Sequence, residues 1–365
     1  MTDRPHVLLS CAISLDGYLD DASDRRLVLS NADDWDRVDE VRAGADAIMV
    51  GATTIRRDNP RLEVRSADRR AARVEAGRPD TPLKVTVTAT GDLDPAAAFF
   101  ATGEQLVYAP AGVTAPGTVV PTGDRVDLAV DLAMVLADLA ARGVARLMVE
   151  GGTSMHTAFL TAGLADELHL VVAPFFVGDS KAPRFVHDGR FPWDGTHRAT
   201  LVEVRRIGNV VLQRYLLSRS EVDRHWLRAA VELSELCPPT DSAFDVGAIV
   251  VDEHGDELAR GYSRELDDTG HAEENALAKL DPADPRLAGA TIYSSLEPCG
   301  RRRSRPRTCT ELILAAGITR VVFALREPPT FVDGEGAELL AAADVEVTEV
   351  PELADAVRDV NRRLL

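Results

Sequence analysis

Residues 145–173 read ARLMVEGGTSMHTAFLTAGLADELHLVVA. Ala145–Glu150 is a short apolar run with no polar alternation, the pattern of a strand buried on both faces. Gly151-Gly152 breaks the run, Ser154–Ala162 carries helical spacing, and Glu167–Ala173 is a second apolar run. Strand, glycine turn, helix and strand make a βαβ unit, which commits its two strands to lie parallel in one sheet.

The same alternation extends in both directions. His6–Ile13, Ala45–Gly51 and Leu83–Thr88 read as strands, with helices over Asp33–Gly44, acidic in its first turn, and Val130–Gly143, stopped by glycine. Val202–Leu217 reads as a closing hairpin about Gly208-Asn209. Ser66–Asp80 reads as a charged mobile loop and Ser218–Asp223 as a polar linker. Beyond it, strands are predicted over Val246–Asp252, Glu257–Ser263, Thr291–Leu296, Arg320–Ala324 and Val345–Val350. Helices are predicted over Arg224–Leu236, His271–Lys279, Thr310–Ala316 and Gly336–Ala343. The expectation is an α/β chain of two domains, 1–218 and 219–365, the first with a mostly parallel sheet covered on both faces.

Composition agrees: 365 residues suit two domains of ordinary size, and 45% hydrophobic with 27% charged residues is a globular mixture. A net charge of −18 argues against nucleic acid or an acidic membrane surface as the main partner, while leaving room for a small phosphorylated ligand held by local arginines. Four cysteines in a chain of this length do not make a disulfide framework. With no signal peptide and no apolar run of the ~18 residues a membrane span needs, a cytoplasmic protein with reduced thiols is expected.

Two short motifs in the last third carry chemistry. His271-Ala272-Glu273 is followed by Glu297-Pro298-Cys299 and, after a nine-residue gap, by Cys309. One imidazole and two thiols supply three ligands of a tetrahedral zinc that keeps its fourth position for water. Cys309 falls at a predicted helix N-terminus, which favours thiolate over thiol. Glu273 is then the proton carrier of a hydrolytic deamination, outside the ligand set. In the first half, Gly151-Gly152 sits between strand and helix, where backbone N–H groups can cradle a dinucleotide phosphate. Neither a Gly-x-Gly-x-x-Gly fingerprint nor a Walker loop is present.

On these residues the second half resembles the cytidine-deaminase-like superfamily, and within it the deaminase domain of the bifunctional riboflavin-biosynthesis deaminase/reductase. The match rests on Val246–Val250, His271-Ala-Glu273, Glu297-Pro298-Cys299, Cys309 and Ala315-Ala316-Gly317. The first half resembles the reductase of the same enzyme through Ser14-Leu15-Asp16-Gly17, Val50-Gly51 with Thr53-Thr54, Asp58–Leu62 with Arg65, Glu150-Gly151-Gly152, and Asp166-Glu167-Leu168 leading to Ala173-Pro174. The resemblance implies a dihydrofolate-reductase-like domain followed by a cytidine-deaminase-like α/β/α domain, the reverse of the usual order. It implies zinc on His271, Cys299 and Cys309, and NADPH against Thr53, Thr54, Gly151 and Gly152. It also implies a substrate pocket of Arg42, Asp58, Leu62, Arg65 and Glu150, with Arg42 or Arg65 on the phosphate.

The basic loop 301–307 would grip a ribose phosphate through Arg303 and Arg305. The implied partner is a phosphorylated pyrimidine, 2,5-diamino-6-ribosylamino-4(3H)-pyrimidinone 5′-phosphate, deaminated and then reduced from ribosyl to ribityl, and a homodimer through the reductase. Three departures stand out. The inter-cysteine gap is one residue longer than usual. Ala243-Phe244-Asp245 replaces the Asn-Pro before the Val-Gly strand, and Ser10 stands where bacterial bifunctional enzymes often carry lysine. The alternatives are the same folds acting on another pterin- or nucleoside-like metabolite, or an active reductase beside a non-catalytic zinc domain.

Overall fold

The computed structural model describes residues 4–23, 25–122, 128–302, 304–328 and 335–364; the side chains of 128–131 are not described. The chain divides into two compact units, 1–218 and 219–365.

In the first unit the described strands are β1 (His6–Ile13), β2 (Ala47–Gly51), β3 (Leu83–Val87), β4 (Gln105–Ala109), β5 (Thr118–Pro121), β6 (Arg146–Val149), β7 (Glu167–Val172), β8 (Thr200–Ile207) and β9 (Val210–Leu216). They form one sheet in the order β5-β4-β3-β2-β6-β1-β7-β9-β8. Pairing is parallel from β5 through β7, and antiparallel only where β9 joins β7 and β8. The helices are α1 (Ala32–Gly44), α2 (Ala52–Asp58), α3 (Ala67–Glu75), α4 (Leu128–Ala141) and α5 (Thr153–Thr161).

Alternating side chains serve two cores. Val7, Leu9, Ala47 and Met49 pack with Leu132, Val135 and Leu139 of α4 and Phe159 of α5. Leu8, Ile48 and Val50 pack with Ile55 of α2 and with Val38 and Val41 of α1. Each fully buried aliphatic side chain contributes about 1.5–3 kcal/mol, so both faces anchor the sheet. Asn31 caps α1 by accepting from the Asp33 and Asp34 N–H groups, and its amide also bonds Ile207 O and Asn209 Oδ1, tying the helix start to the hairpin turn.

Two expectations are corrected. The charged segment 66–80 contains the helix α3, capped by Ser66. Its buried anchor is Arg73, 2% exposed, which donates to the carbonyls of Ala43, Ala45 and Pro79. An arginine that caps carbonyls carries no apolar periodicity, so the sequence reads as a loop. Residues 218–223 are not a linker either: α6 (Arg219–Ser234) begins at once. Asp223, polar and apparently solvent-facing in sequence, is buried against Arg320 and Tyr293.

The second unit has strands β10 (Gly247–Val251), β11 (Glu257–Tyr262), β12 (Thr291–Leu296), β13 (Arg320–Leu325) and β14 (Glu346–Glu349), in the order β11-β10-β12-β13-β14. Its helices after α6 are α7 (Ala272–Leu277), α8 (Cys309–Ala315), α9 (Gly336–Ala342) and α10 (Ala354–Val360). Leu227, Ala230 and Val231 of α6 and Val357 of α10 pack with Tyr293 and Val322. Ala276 of α7, Ile313 of α8 and Leu340 of α9 pack with Ile292, Val321 and Phe323. Neighbouring residues on each strand therefore face opposite helix layers, which makes an α/β/α sandwich. A Cβ at Gly247 would meet Ala230 O at 2.1 Å, so α6 sits directly on β10.

Candidate active sites

In the second unit, β12 runs out through Glu297 and Pro298 to Cys299, and α8 starts on Cys309. His271 is the N-cap of α7 and Glu273 lies in its first turn. The ligand atoms of His271, Cys299 and Cys309 lie within 4.8 Å of one another. His271 Nδ1 is 3.5 Å from Cys299 Sγ and 3.4 Å from Cys309 Sγ. Zinc bonds of ~2.0 Å to nitrogen and ~2.3 Å to sulfur at a tetrahedral angle put those atoms about 3.5 Å apart, so the donor set fits the ion in chemistry and spacing.

The thiols are held ready for a cation. Cys299 accepts from the Cys309 backbone N–H at 3.4 Å. Hydrogen bonding from the Cys309 thiol, and then His271, draws Cys299 well below the ordinary thiol value, whereas Cys309 is pushed up by the same shared proton and by burial. The α8 start is itself fixed by the reciprocal Thr308–Glu311 capping box.

Glu273 is 3% exposed. Its Oε1 accepts from Ser294 Oγ at 2.7 Å, and its Oε2 stands 3.2 Å from Cys309 Sγ. Ser294 on β12 thus aims the carboxylate along the metal-ligand cluster. Glu297 has a role the motif alone does not reveal: it accepts the Glu327 N–H at 3.0 Å and the Ala337 N–H at 2.8 Å, holding the strand exit against α9. Burial, then the charges of Cys299, Glu273 and Glu297, raise Glu327 to about 8.

Arg303 lies outside the described residues. Arg305 is paired with Asp267 and, at 3.3 Å, with Glu274. Arg302, not singled out in sequence, is the buried arginine among the described residues of this loop, its side chain 2% exposed and 2.8 Å from Glu274 Oε2. It fastens the segment between the two cysteines to the helix that carries Glu273. Asp245, where the Asn-Pro is missing, turns to Arg264 and Arg363.

The first unit holds a cleft of about 990 Å³. It opens at the carboxyl ends of the parallel strands, where open α/β sheets bind ligands. Thr53, Thr54 and Gly152 line it, as do Arg42, Asp58, Arg65 and Glu150. Leu62 and Gly151 are absent from the lining; Leu62 is buried with φ 52°, and Gly151 takes φ 114° beneath the turn. Gly51 N–H donates to Gly151 O at 2.9 Å, so the starts of α2 and α5 lie side by side. Neither N-cap, Gly51 or Gly152, has a side chain bonded to its helix's first-turn N–H groups. Paired helix starts without such caps suit the phosphates of a dinucleotide.

Arg42 is committed elsewhere: Nε and Nη2 each bond a Glu150 oxygen at 2.6 Å and Nη1 bonds Glu63 O at 3.1 Å. Against the depressing effect of burial, Glu150 holds its pKa above the ordinary arginine value. Of the two arginines expected near phosphate, Arg65 has no side-chain ion pair among the described residues. Asp58 is raised, chiefly by burial.

Comparison with known proteins agrees with both sites. Residues 5–213 match the model described as RibD C-terminal domain, and residues 220–325 the cytidine and deoxycytidylate deaminase zinc-binding region. The 2,5-diamino-6-ribosylamino-4(3H)-pyrimidinone 5′-phosphate reductase of Archaeoglobus fulgidus is 32% identical over 56% of this chain and 94% of its own length. The diaminohydroxyphosphoribosylamino-pyrimidine deaminase of Schizosaccharomyces pombe is 42% identical over 34% of this chain and 31% of its own. Riboflavin biosynthesis protein RibD of Bacillus amyloliquefaciens is 36% identical over 51% of this chain and 50% of its own. The chain thus spans half or less of the latter two relatives. No described helix is long and apolar enough to cross a membrane. The chain belongs to the RibD reductase family through residues 5–213 and carries a zinc-binding deaminase region after it, at residues 220–325.

Proposed function

We propose that the chain is a bifunctional enzyme of riboflavin biosynthesis, with the reductase in residues 1–218 and the deaminase in residues 219–365. The observation that carries this reading is the coexistence of a His271–Cys299–Cys309 cluster beside Glu273 with a separate cleft walled by paired helix starts. His271, Cys299 and Cys309 would hold the zinc, which would supply a water acidified to a pKa of roughly 7. Glu273, outside the ligand set, takes the proton of the attacking water and returns it to the departing amine, while Ser294 keeps its other oxygen engaged.

In the reductase the residues of the cleft would hold NADPH, which would supply the hydride for reduction of the ribosyl group to ribityl. Thr53, Thr54 and Gly152 face that cofactor, and Arg65 meets the substrate phosphate. Arg42 acts through Glu150 and the Glu63 carbonyl, fixing the wall on which substrate rests. A homodimer through the reductase domain, and a cytoplasmic location with reduced thiols, complete the reading.

The substrate order has a second reading. The Archaeoglobus relative is named as a reductase of the 2,5-diamino compound, in which both amino groups are still present. By that likeness, reduction precedes deamination here. Zinc-loaded full-length protein is assayed with the diamino ribosyl phosphate, following ammonia and NADPH oxidation separately. Both signals support the proposal; NADPH oxidation with the diamino compound before any ammonia favours reduction first. Neither signal from folded protein points to the different-metabolite alternative, and NADPH oxidation without ammonia from any ring tested points to a non-catalytic zinc domain.

A further inference from the structure

A buried polar chain runs from the floor of the reductase cleft into the sheet. Arg37, on α1, lines the cleft together with Asp34 and Ser10. Its Nε donates to Asp34 Oδ1 at 2.7 Å. Its Nη1 meets His169 Nδ1 at 3.3 Å. A guanidinium can only donate, so His169 accepts at Nδ1 and carries its hydrogen on Nε2, which faces Glu167 Oε1 at 2.8 Å. Glu167 is paired in turn with Arg214 at 2.7 Å. Ser10, which lines the cleft, and His169 are register partners on β1 and β7, so the chain leads from the cleft lining toward the amino end of β7.

The guanidinium is therefore fixed on two edges. Nη2 has no hydrogen-bond or ion-pair partner among the described residues, in a side chain only 9% exposed. Nη2 is not among the solvent-sealed, unpartnered side-chain nitrogens of the described residues, so this edge meets the open cleft, where a bound acceptor would take the place of water. Charge decides which acceptor: Asp34 already neutralises Arg37, whereas Arg65 keeps its charge. A phosphate selects Arg65, and an uncharged oxygen suits the compensated Arg37.

We propose that Arg37 is a substrate-recognition residue of the reductase, whose Nη2 edge, oriented by Asp34 and the His169–Glu167 pair, donates to an uncharged oxygen of the phosphorylated substrate, a ring carbonyl or a sugar hydroxyl. The proposal rests on the reductase reading above.

The test uses full-length protein and steady-state NADPH oxidation with the ribosylaminopyrimidine phosphate. The main variant is the double change Arg37→Met with Asp34→Asn, which avoids stranding a buried carboxylate; Arg37→Gln is the fallback if the double variant does not fold. Loss of one charge-assisted hydrogen bond lowers kcat/KM by roughly 10- to 100-fold, carried mainly by KM, with NADPH affinity unchanged by fluorescence titration. Ribose 5-phosphate as competitor assigns the acceptor: a weakened inhibition constant in the variant places it on the sugar, an unchanged one on the ring. An active wild type whose variant stays within twofold in kcat/KM, or loses NADPH affinity in step, overturns the role of Arg37 alone. Wild-type protein that oxidises NADPH with neither the diamino nor the deaminated ribosyl phosphate overturns the reductase reading itself.

Discussion

Arg42 and Glu150, 108 residues apart in sequence, meet through two parallel hydrogen bonds of 2.6 Å each, Nε to Oε1 and Nη2 to Oε2. The pair joins α1 to the end of β6, so one wall of the cleft is an ion pair rather than an apolar seam. Removing one partner of such a pair leaves a buried charge uncompensated, at a cost of about 3–5 kcal/mol. Arg42→Met should lower the stability of the reductase unit by that order in a denaturant titration. A loss below about 1 kcal/mol would show that water replaces the arginine there.

Glu273→Gln keeps the shape of the side chain and its bond to Ser294 but removes the proton carrier. Ammonia release should fall about 10²- to 10⁴-fold, while zinc content, measured by metal analysis, stays at the wild-type level. Loss of zinc in this variant would instead place Glu273 among the ligands.

Chelation separates the two halves. Stripping zinc should abolish ammonia release and lower the melting temperature of the deaminase unit, because the energy of metal binding is folding energy there. NADPH oxidation with a ribosyl substrate should persist. A parallel loss of NADPH oxidation would contradict two independent sites.

His156 is fully buried, and burial lowers its pKa from 6.5 to about 4. Between those values the unfolded chain takes up a proton that the native ring refuses, so stability falls as pH falls from 6.5 to 4. The full shift corresponds to about 3 kcal/mol. Unfolding free energies across this window should slope downward toward acid in wild type and lose that component in His156→Leu. Equal slopes in the two proteins would mean that His156 is protonated in the native state.

Much of the architecture was legible in sequence because buried parallel strands advertise themselves as unbroken apolar runs. His6–Ile13 and Thr291–Leu296 are strands with those bounds. Two of the failures were elements whose buried residues are charged. Arg73 hid α3, and Asp223 disguised the first turns of α6 as a linker. Strand β4 and the edge strand β5 beyond it were missed, as was α10, a short C-terminal helix resting on β13 and α6.

The metal cluster was readable from residue type alone, since few other chemistries need one imidazole, two thiols and a carboxylate in that order. The Arg37–His169–Glu167 chain was not: 132 residues separate Arg37 from His169, and no local pattern links them. Nor could sequence divide labour among the arginines. Arg42 and Arg65 look equivalent until the fold gives Glu150 to one and leaves the other without an ion-pair partner among the described residues. The sequence determined which atoms are available for chemistry and the helix and strand periods that carry them, because those are local properties of the chain. The tertiary structure decided which charges neutralise one another and which remain for a ligand, because pairing depends on distances that only the closed sheet and its crossovers set.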